Sequence, residues 1–549
     1  MKIVEIRDLD GPNLFMLRPA IKLEIDTEEA RPLVAEAVAG DFVLGPLPDS
    51  PDSEPAMVPV SAERVRSLLI EIIHVVHDKV GAPRPEVVSR EMEAPLHLAV
   101  AFGWTHRTLG KEVARLSYSI LTGDISSLDG DLARLKELAT AEPVGADLPA
   151  MLPDGDRRVP VIGITGTNGK TSTTRLISSI LMGAGKKVGS TSSAGVFIQD
   201  EMVIEGDYTG PAGAARVFAE PGVDVAVLET ARGGILMRGL GYESNDVAVV
   251  TNVSPDHLGL HGVYSIDGLA EVKSLVVRVT RPDGFVVLNA HDPRVLAMRD
   301  VARARPFLIS RDAADDEVTR HVRDGGWALA VSHGEIHWWH DGTMEVLTAV
   351  SDVPMAFGGR ATHMLENALC AAAACLAIGL PLDQVRAGLS AFRNKSDQNR
   401  GRLNVYDVDG ATIIVDFAHN ELGLKHLLDF ARTFVAPGRQ LIAVVGTAGD
   451  RADEVFMSLG KIAAEKANRV IVKDTTKYLR GRDPGEVVAL MERGIGDAGV
   501  TEYETATSET SGFERAREIA GKGDVVALMC IEDYDTIIPR LEEIGRALS

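Results

Sequence analysis

The chain has 549 residues, which exceeds one ordinary core and gives a prior of roughly three domains. It is 45% hydrophobic and 25% charged, and 57 Lys and Arg against 79 Asp and Glu leave a net charge of −22, a surface that repels polyanions and excludes nucleic acid as a partner. No stretch reaches the roughly 20 apolar residues of a membrane span, so no membrane partner is expected. The start, MKIVEIRDLDGPN, lacks the long apolar segment of a signal peptide, and a cytoplasmic protein is expected.

In chain order, RPAIKLEID (18–26) alternates apolar and polar residues and predicts a half-buried strand. Five prolines between 46 and 59 predict a loop, and 65–80 and 109–122 predict helices. The stretch 142–160 carries four prolines and three aspartates and reads as a linker. Beyond it, VPVIGIT, VDVAVLET, DVAVVTNV and GFVVLNA alternate with helical stretches, the rhythm of a parallel sheet covered on both faces. That rhythm returns after about residue 400 in ATIIVDFA, QLIAVVG, NRVIVKD and DVVALMC, and between them HMLENALCAAAACLAIGLP predicts an Ala-rich helix. The three cysteines, Cys370, Cys375 and Cys530, fit neither a disulfide framework nor a zinc site. The reading is two α/β domains in series behind an N-terminal mixed α/β domain.

The stretch GITGTNGKTSTTRLISSIL (163–181) places a glycine-rich turn between a predicted strand and a predicted helix. Backbone N–H groups converging on a helix N-terminus make an anion site. Gly166, Thr167, Asn168, Gly169, Lys170, Thr171 and Ser172 are the expected nucleotide-binding residues, with Lys170 on the β/γ-phosphates and the Thr171 hydroxyl on Mg²⁺. The general G-x-x-x-x-G-K-[ST] spacing puts its first glycine at Ile164, so the loop departs from that pattern. Two further strand ends face the same way: VAVLETARGG ends in Glu229, and VVTNVSPDHLGLHG brings Asp256, His257 and His261. Ligands of parallel sheets bind beyond the carboxyl ends of strands. A carboxylate and a histidine there can hold Mg²⁺ against a γ-phosphate.

GTNGKT, LETARGG, TNVSPDHLG and DFAHN occur in the order found in Mur ligases, the ATP-dependent amino-acid ligases, which the chain resembles. GDYTGPAGAARVF, LETARGGILMRGLGY, DHLGLHG, LAEVKSLVVRVT, GTAGDRADE and YLRGRDPGE extend the resemblance to the Mur-ligase half of cyanophycin synthetases, over roughly 159–549. MKIVEIRDLDGPN and RPAIKLEID resemble the N-terminal domain of the same family. The resemblance implies a cyanophycin-synthetase-like N-terminal domain over 1–156, a central P-loop α/β domain over 157–398 and a Rossmann-like C-terminal α/β domain over 399–549. No ATP-grasp module fits between the first two, so a single ligation is expected.

The implied activity is ATP-driven amide formation through an acyl phosphate, with ATP and Mg²⁺ as cofactors. The substrates would be an amino acid, arginine-like, and a carboxylate-bearing acceptor, peptide or polymer. By the resemblance Thr171, Glu229 and His257 would ligate Mg²⁺, and Lys170, Glu229, His257 and Lys273 make up the catalytic set. Lys273 matches a lysine that several Mur ligases carbamoylate, although its spacing from His257 is two residues longer than usual. Asn367 matches the adenine-contacting asparagine, and Arg402 and Asp416 match ribose and phosphate contacts from the C-terminal domain. Thr209 sits where the family places the acceptor. His419 is either a substrate contact or a turn-ordering residue. Asp450, Arg451, Arg480 and Arg482 are candidates to grip the incoming amino acid, since a guanidinium clamps a carboxylate in a bidentate way; a surface ion pair is the alternative for each. The C-terminal domain is expected to close on ATP.

His74 and His77 share a helical face without a third ligand, and SHGEIHWWH (332–340) reads as an exposed hairpin. Two rivals stay open: a poly-γ-glutamate-type ligase, and a regulatory or polymer-binding partner of a companion synthetase that carries the ATP-grasp module. The resemblance also leaves a homo-oligomer open.

Overall fold

The structure is a computed structural model, and it describes residues 1–28, 35–38, 41–44 and 62–548, with the backbone alone for 35–38 and 41–44. The proline-rich loop expected at 46–59 lies outside the described residues.

The N-terminal unit is an antiparallel sheet in the order Lys2–Leu9, Ala20–Asp26, His97–Gly103, Val87–Glu91. The helices Ala62–Val80, Arg107–Leu121 and Leu128–Thr140 cover it. Ile21, Leu23 and Ile25 face these helices and are fully buried. Ala20–Asp26 alternates as the sequence predicts, yet all seven residues are buried, so the strand is not half-exposed. The charges on its other face satisfy one another: Lys22 Nζ lies 2.6 Å from Glu5 and 2.5 Å from Glu24, and His97 bonds Glu24 at 2.8 Å. Buried charges that are paired in this way carry a smaller desolvation cost than isolated ones. His77 is buried too, with Nδ1 2.7 Å from the Ile73 carbonyl and its ring edge-on to Phe102.

The stretch read as a linker has little regular structure beyond the turn Gly145–Asp147, and it is zipped onto the next unit. Leu152 N–H donates to Gly241 O at 3.0 Å and Leu152 O accepts from Glu243 N–H at 3.0 Å. Arg157 pairs with Asp246.

The central sheet has eleven strands. Val188–Thr191, Val225–Glu229, Val161–Thr165, Asn245–Val250, Thr280–Asn289, Arg305–Ser310 and Trp327–Ser332 run parallel side by side. Antiparallel strands finish both edges. The strands between the edges are runs of Val, Ile and Leu because helices bury both faces. The hairpin Trp327–Ser332 to Glu335–His340 is real, but its aromatic side chains are half-buried: Trp338 stacks on His340 with ring centroids 3.6 Å apart, and Trp327 packs on Phe285.

A seven-stranded sheet builds the C-terminal unit, and Ala411–Asp416, Val525–Met529, Leu441–Val445, Arg469–Lys473 and Glu504–Ala506 are its parallel strands. One continuous core joins it to the central unit. The helix Thr362–Ala377 lies inside that core, with Ala371, Ala372, Ala373 and Ala374 all fully buried. Small side chains let it lie close against the helix Lys170–Gly183. Cys370 and Cys375 are buried free thiols on the same helix, and burial raises both above their ordinary range.

Candidate active site

The phosphate loop follows the strand Val161–Thr165 and ends where the helix Lys170–Gly183 begins. Its two glycines are steric requirements. Gly166 has φ +149°, and a Cβ there would lie 1.9 Å from Thr251 Oγ1; Gly169 has φ +86°, and a Cβ there would lie 2.2 Å from Asn367 Oδ1. The segment after Asn245–Val250 splints the loop from below. Thr251 Oγ1 donates to Asn168 O at 2.6 Å, Asn168 N–H donates to Asn252 Oδ1 at 3.0 Å, and Thr167 Oγ1 donates to Ser254 O at 3.0 Å. Lys170 folds over the loop, donating to the carbonyls of Gly166 at 3.1 Å and Thr167 at 2.9 Å.

Glu229 ends the neighbouring strand and is 3% exposed. Burial raises its carboxyl above the usual range, against the pull of Lys170, Arg402 and the Thr171 hydroxyl. Its Oε2 is buried without a hydrogen-bond partner. A buried carboxylate oxygen left open beside a threonine hydroxyl and a phosphate loop fits a divalent cation. Thr209 lines the same small cavity with Glu229 and Tyr242, and its hydroxyl donates to Asp207 at 2.6 Å.

Lys273, on the helix Ile266–Arg278, is buried with Nζ 2.7 Å from Gly166 O. Burial holds its amine well below the usual range, and Lys170 adds to that. The charges of Asp256 and Arg232 also act on it, more weakly and in opposite directions.

A second cluster centres on Asp256. His419 Nε2 is 3.5 Å away, Arg451 3.6 Å and His257 Nε2 3.8 Å, while His257 Nδ1 is 3.7 Å from Asp450. Burial works to raise Asp256, but His419, His257 and Arg451 together hold it far below the carboxylate range. His257 has φ +51°, an unusual backbone for a histidine, and its carbonyl accepts from Arg232 at 2.8 Å. Burial, first, lowers the His257 imidazole. Since Asp256 and His257 come from the central unit and His419, Asp450 and Arg451 from the C-terminal one, the cluster is assembled across the seam between them.

The other expected residues distribute as follows. Asn367 is buried with its carboxamide against Gly169. Arg402 lies 4.4 Å from the Phe417 ring centroid, with Glu229 and Asp416 both acting on its charge. Asp416 accepts from Leu403 N–H at 2.9 Å. Ser172 meets Asn399 at 3.4 Å. Arg482 donates to the carbonyls of Gly449 (2.9 Å) and Arg451 (2.8 Å) and to Asp453, so it braces the loop that carries Asp450 and Arg451. Arg480 lies farther out, its guanidinium over the Tyr478 ring.

Arg232 and Asn399 take part in these contacts although no role is assigned to them from sequence, and Asp256, read there only as a strand-end carboxylate, is the centre of the cluster. Asp256 directly precedes His257 and Arg232 lies in LETARGG, so their motifs pointed to them; Asn399 stands three residues before Arg402.

Residues 164–375 match the Mur ligase middle domain, and residues 401–530 match the family described as Mur ligase, glutamate ligase domain. The cyanophycin synthetase of Trichormus variabilis is 36% identical over 441 residues, 77% of this chain and 48% of that protein. The chain therefore spans about half the length of the cyanophycin synthetases it matches. The UDP-N-acetylmuramoyl-L-alanyl-D-glutamate–2,6-diaminopimelate ligase of Geobacillus kaustophilus is 26% identical over 467 residues, 81% of this chain and 89% of that one. The structure of E. coli FolC in complex with DHPP and ADP matches with a TM-score of 0.53 and 20% identity, over 70% of this chain and 89% of that chain, a likeness of fold. With both domains matched in order over the greater part of its length, the chain belongs to the Mur ligase family.

Proposed function

We propose that the protein is an ATP-dependent ligase that forms an amide bond through an acyl phosphate. Its substrates are then an arginine-like amino acid and an aspartate-like carboxylate, and its other products are ADP and phosphate. The observation that carries this reading is the buried, partly unpartnered Glu229 carboxylate on the strand beside the phosphate loop, on which Lys170, the Thr171 hydroxyl and Arg402 of the C-terminal unit all act. Membership of the Mur ligase family and the likeness to cyanophycin synthetases support it.

In this mechanism an oxygen of the acceptor carboxylate attacks the γ-phosphorus, and the bond from that phosphorus to the bridging oxygen of ADP breaks. Lys170 swings from the loop carbonyls to the phosphates, and the loop N–H groups hold the charge that moves onto ADP. Glu229, Thr171 and His257 would hold a divalent cation, which would supply charge neutralisation at the γ-phosphate. The amino acid's amine then attacks the acyl carbon; the carbon–oxygen bond to phosphate breaks, and the departing phosphate takes the amine proton. Arg451, Asp450 and His419 stand where the amino acid must approach, and Thr209 stands by the acceptor. Closure of the seam excludes water from the acyl phosphate.

The test is phosphate release with Mg-ATP, for all amino acids crossed with poly-aspartate, aspartyl peptides and free acids, and with product mass for each active pair. An active pair that yields the mass of an amide and is lost in Lys170→Ala supports the ligase. Nucleotide binding with no active pair would overturn it and favour the regulatory partner of a companion synthetase.

A further inference from the structure

Among the described residues the N-terminal unit brings no side chain into the phosphate loop, yet two of its segments grip central helices, one that sends Lys273 to that loop and one that sends Arg232 to the turn at His257. We infer that it is an in-cis organiser of the nucleotide site and that Glu93 and the Asp8–Asp10 loop are its positioning residues. The inference rests on the ligase reading for its kinetic readout only.

The first grip is on the helix Ile266–Arg278. Glu93, just beyond the strand Val87–Glu91, accepts from the N–H groups of Tyr264 and of Ser265 (2.9 Å) and from the Ser265 hydroxyl (2.5 Å). Ser265 is itself the N-cap, accepting from Gly268 N–H at 2.9 Å. A carboxylate from another unit thus neutralises the positive end of this helix. Gly268 leaves room for it, since a Cβ there would lie 2.1 Å from Glu93 Oε1. Arg90 adds an ion pair to Glu271 two turns into the helix. Lys273, two residues later, reaches Gly166 O in the phosphate loop at 2.7 Å.

The second grip is on the helix Arg232–Arg238. Arg238 donates to Asp8 at 2.7 Å, and its carbonyl accepts from Asp10 N–H at 2.6 Å. Leu240 N–H donates to Pro12 O at 2.9 Å. Asp8 and Asp10 are themselves fixed by Arg107, at 2.8 and 2.5 Å. At the other end of this helix Arg232 donates to the carbonyls of His257 (2.8 Å) and Leu260 (3.1 Å), and so holds the left-handed turn at His257. Each grip is one helix away from a residue of the site.

The experiment compares full-length wild type with Glu93→Ala, Glu93→Gln and Glu93→Asp. Glu93 is exposed, so all three are expected to fold. The readouts are amide hydrogen exchange over 264–275, the affinity for a fluorescent ADP analogue with Mg²⁺, the kcat of phosphate release, and the melting temperature. In Glu93→Ala the exchange protection of 264–275 falls, nucleotide affinity or kcat falls about five-fold, and the melting temperature moves by no more than a few degrees. Glu93→Gln is intermediate, and Glu93→Asp recovers most of the loss. A lower melting temperature with unchanged affinity and kcat would overturn the inference, and so would unchanged exchange. If wild type binds nucleotide but releases no phosphate with any pair, the ligase reading fails while affinity and exchange still decide this one.

Discussion

Asn168 and Asn420, 252 residues apart, exchange two hydrogen bonds: Asn168 Nδ2 donates to Asn420 Oδ1 at 3.2 Å and Asn420 Nδ2 donates to Asn168 Oδ1 at 3.1 Å. One lies in the phosphate loop and the other caps the helix Glu421–Arg432 of the C-terminal unit, accepting from Gly423 N–H at 2.9 Å. The amide pair ties the loop that holds phosphates to the unit that carries His419, Asp450 and Arg451. Asn399 to Ser172 and Arg175 to the Arg400 carbonyl continue the seam.

The two functions of Asn420 can be separated. Asn420→Asp keeps an oxygen for the cap and for Asn168 Nδ2 but sets a second oxygen against Asn168 Oδ1, so helix stability is retained and one of the two bonds of the tie is lost. We expect a melting temperature within a few degrees of wild type and phosphate release reduced about ten-fold, the cost of one strong interaction of ~1.4 kcal/mol. Asn420→Ala loses the cap as well, at about 1 kcal/mol more. Thermal melting and phosphate release measured on both variants distinguish the two effects; equal kcat for wild type and Asn420→Asp would show that the tie is idle.

Gly169→Ala forces a side chain into a left-handed backbone and against the Asn367 carboxamide at 2.2 Å. Neither the carboxamide, buried at 4% exposure, nor the loop, splinted by Thr251 and Asn252, has room to give. The expected outcome is loss of the thermal shift given by Mg-ATP, with nucleotide affinity down more than ten-fold. Gly183→Ala, at the end of the same helix with nothing within 4 Å of its Cβ, is the control and should leave binding unchanged.

What was legible in the sequence is what local geometry dictates. The glycine pattern of 166–169 needs positive φ and close backbone approach, and the runs ending in Glu229 and Val250 are strands buried on both faces; both signals lie within a few residues of each other. The Ala-rich helix Thr362–Ala377 was legible for the same reason. The burial of Lys22 and Glu24 was not, because the partners that permit it, Glu5 and His97, come from other strands. Nor was the hub at Asp256, whose neighbours His419 and Arg451 arrive from a separate sheet more than 160 residues later. Arg482 was readable as a cation and no further: the carbonyls of Gly449 and Arg451 that hold it are backbone atoms of a loop 30 or so residues away.

Beneath the loops of the C-terminal unit, Lys473 and Glu509 form an ion pair at 2.6 Å with both side chains fully buried. Burial would raise the Glu509 carboxyl, but Lys473 and the N–H groups around it hold it below its usual range. Glu509 Oε1 accepts from the N–H groups of Ile531 and Glu532 at 3.0 Å and Asp533 at 2.8 Å, so it also pins the loop after Val525–Met529. Glu509→Gln leaves a buried ammonium uncompensated and should cost about 3–5 kcal/mol in urea unfolding. Adding Lys473→Met to it should recover part of that loss, whereas adding it to Glu509→Ala should recover less, because the loop has lost its acceptor. Equal stabilities of the two double variants would show that the pinning of 531–533 contributes little.

The stacked rings of His363 and His426 are expected to weaken the docked seam in acid. Their centroids are 4.7 Å apart and their planes 6° from parallel, one on the helix Thr362–Ala377 and the other on Glu421–Arg432. Burial first, and then His426, lowers His363 to about 3; burial lowers His426 to about 4, with Arg311 adding to that and Asp429 opposing it. Arg311 is itself paired with Glu366 at 2.7 Å. Both imidazoles therefore titrate lower in the folded chain than in the unfolded one, where a histidine titrates near ~6.5. The unfolded chain binds more protons between those values, so stability is fully present above about pH 6.5 and falls as pH drops toward 4 and then 3. His426→Phe keeps a ring on His363 and removes one of the two charges. Urea midpoints from pH 4 to 8 should fall more steeply below pH 6.5 in wild type than in this variant, with the curves parallel above pH 7. Identical slopes below pH 6.5 would show that His426 binds protons alike in the folded and the unfolded chain.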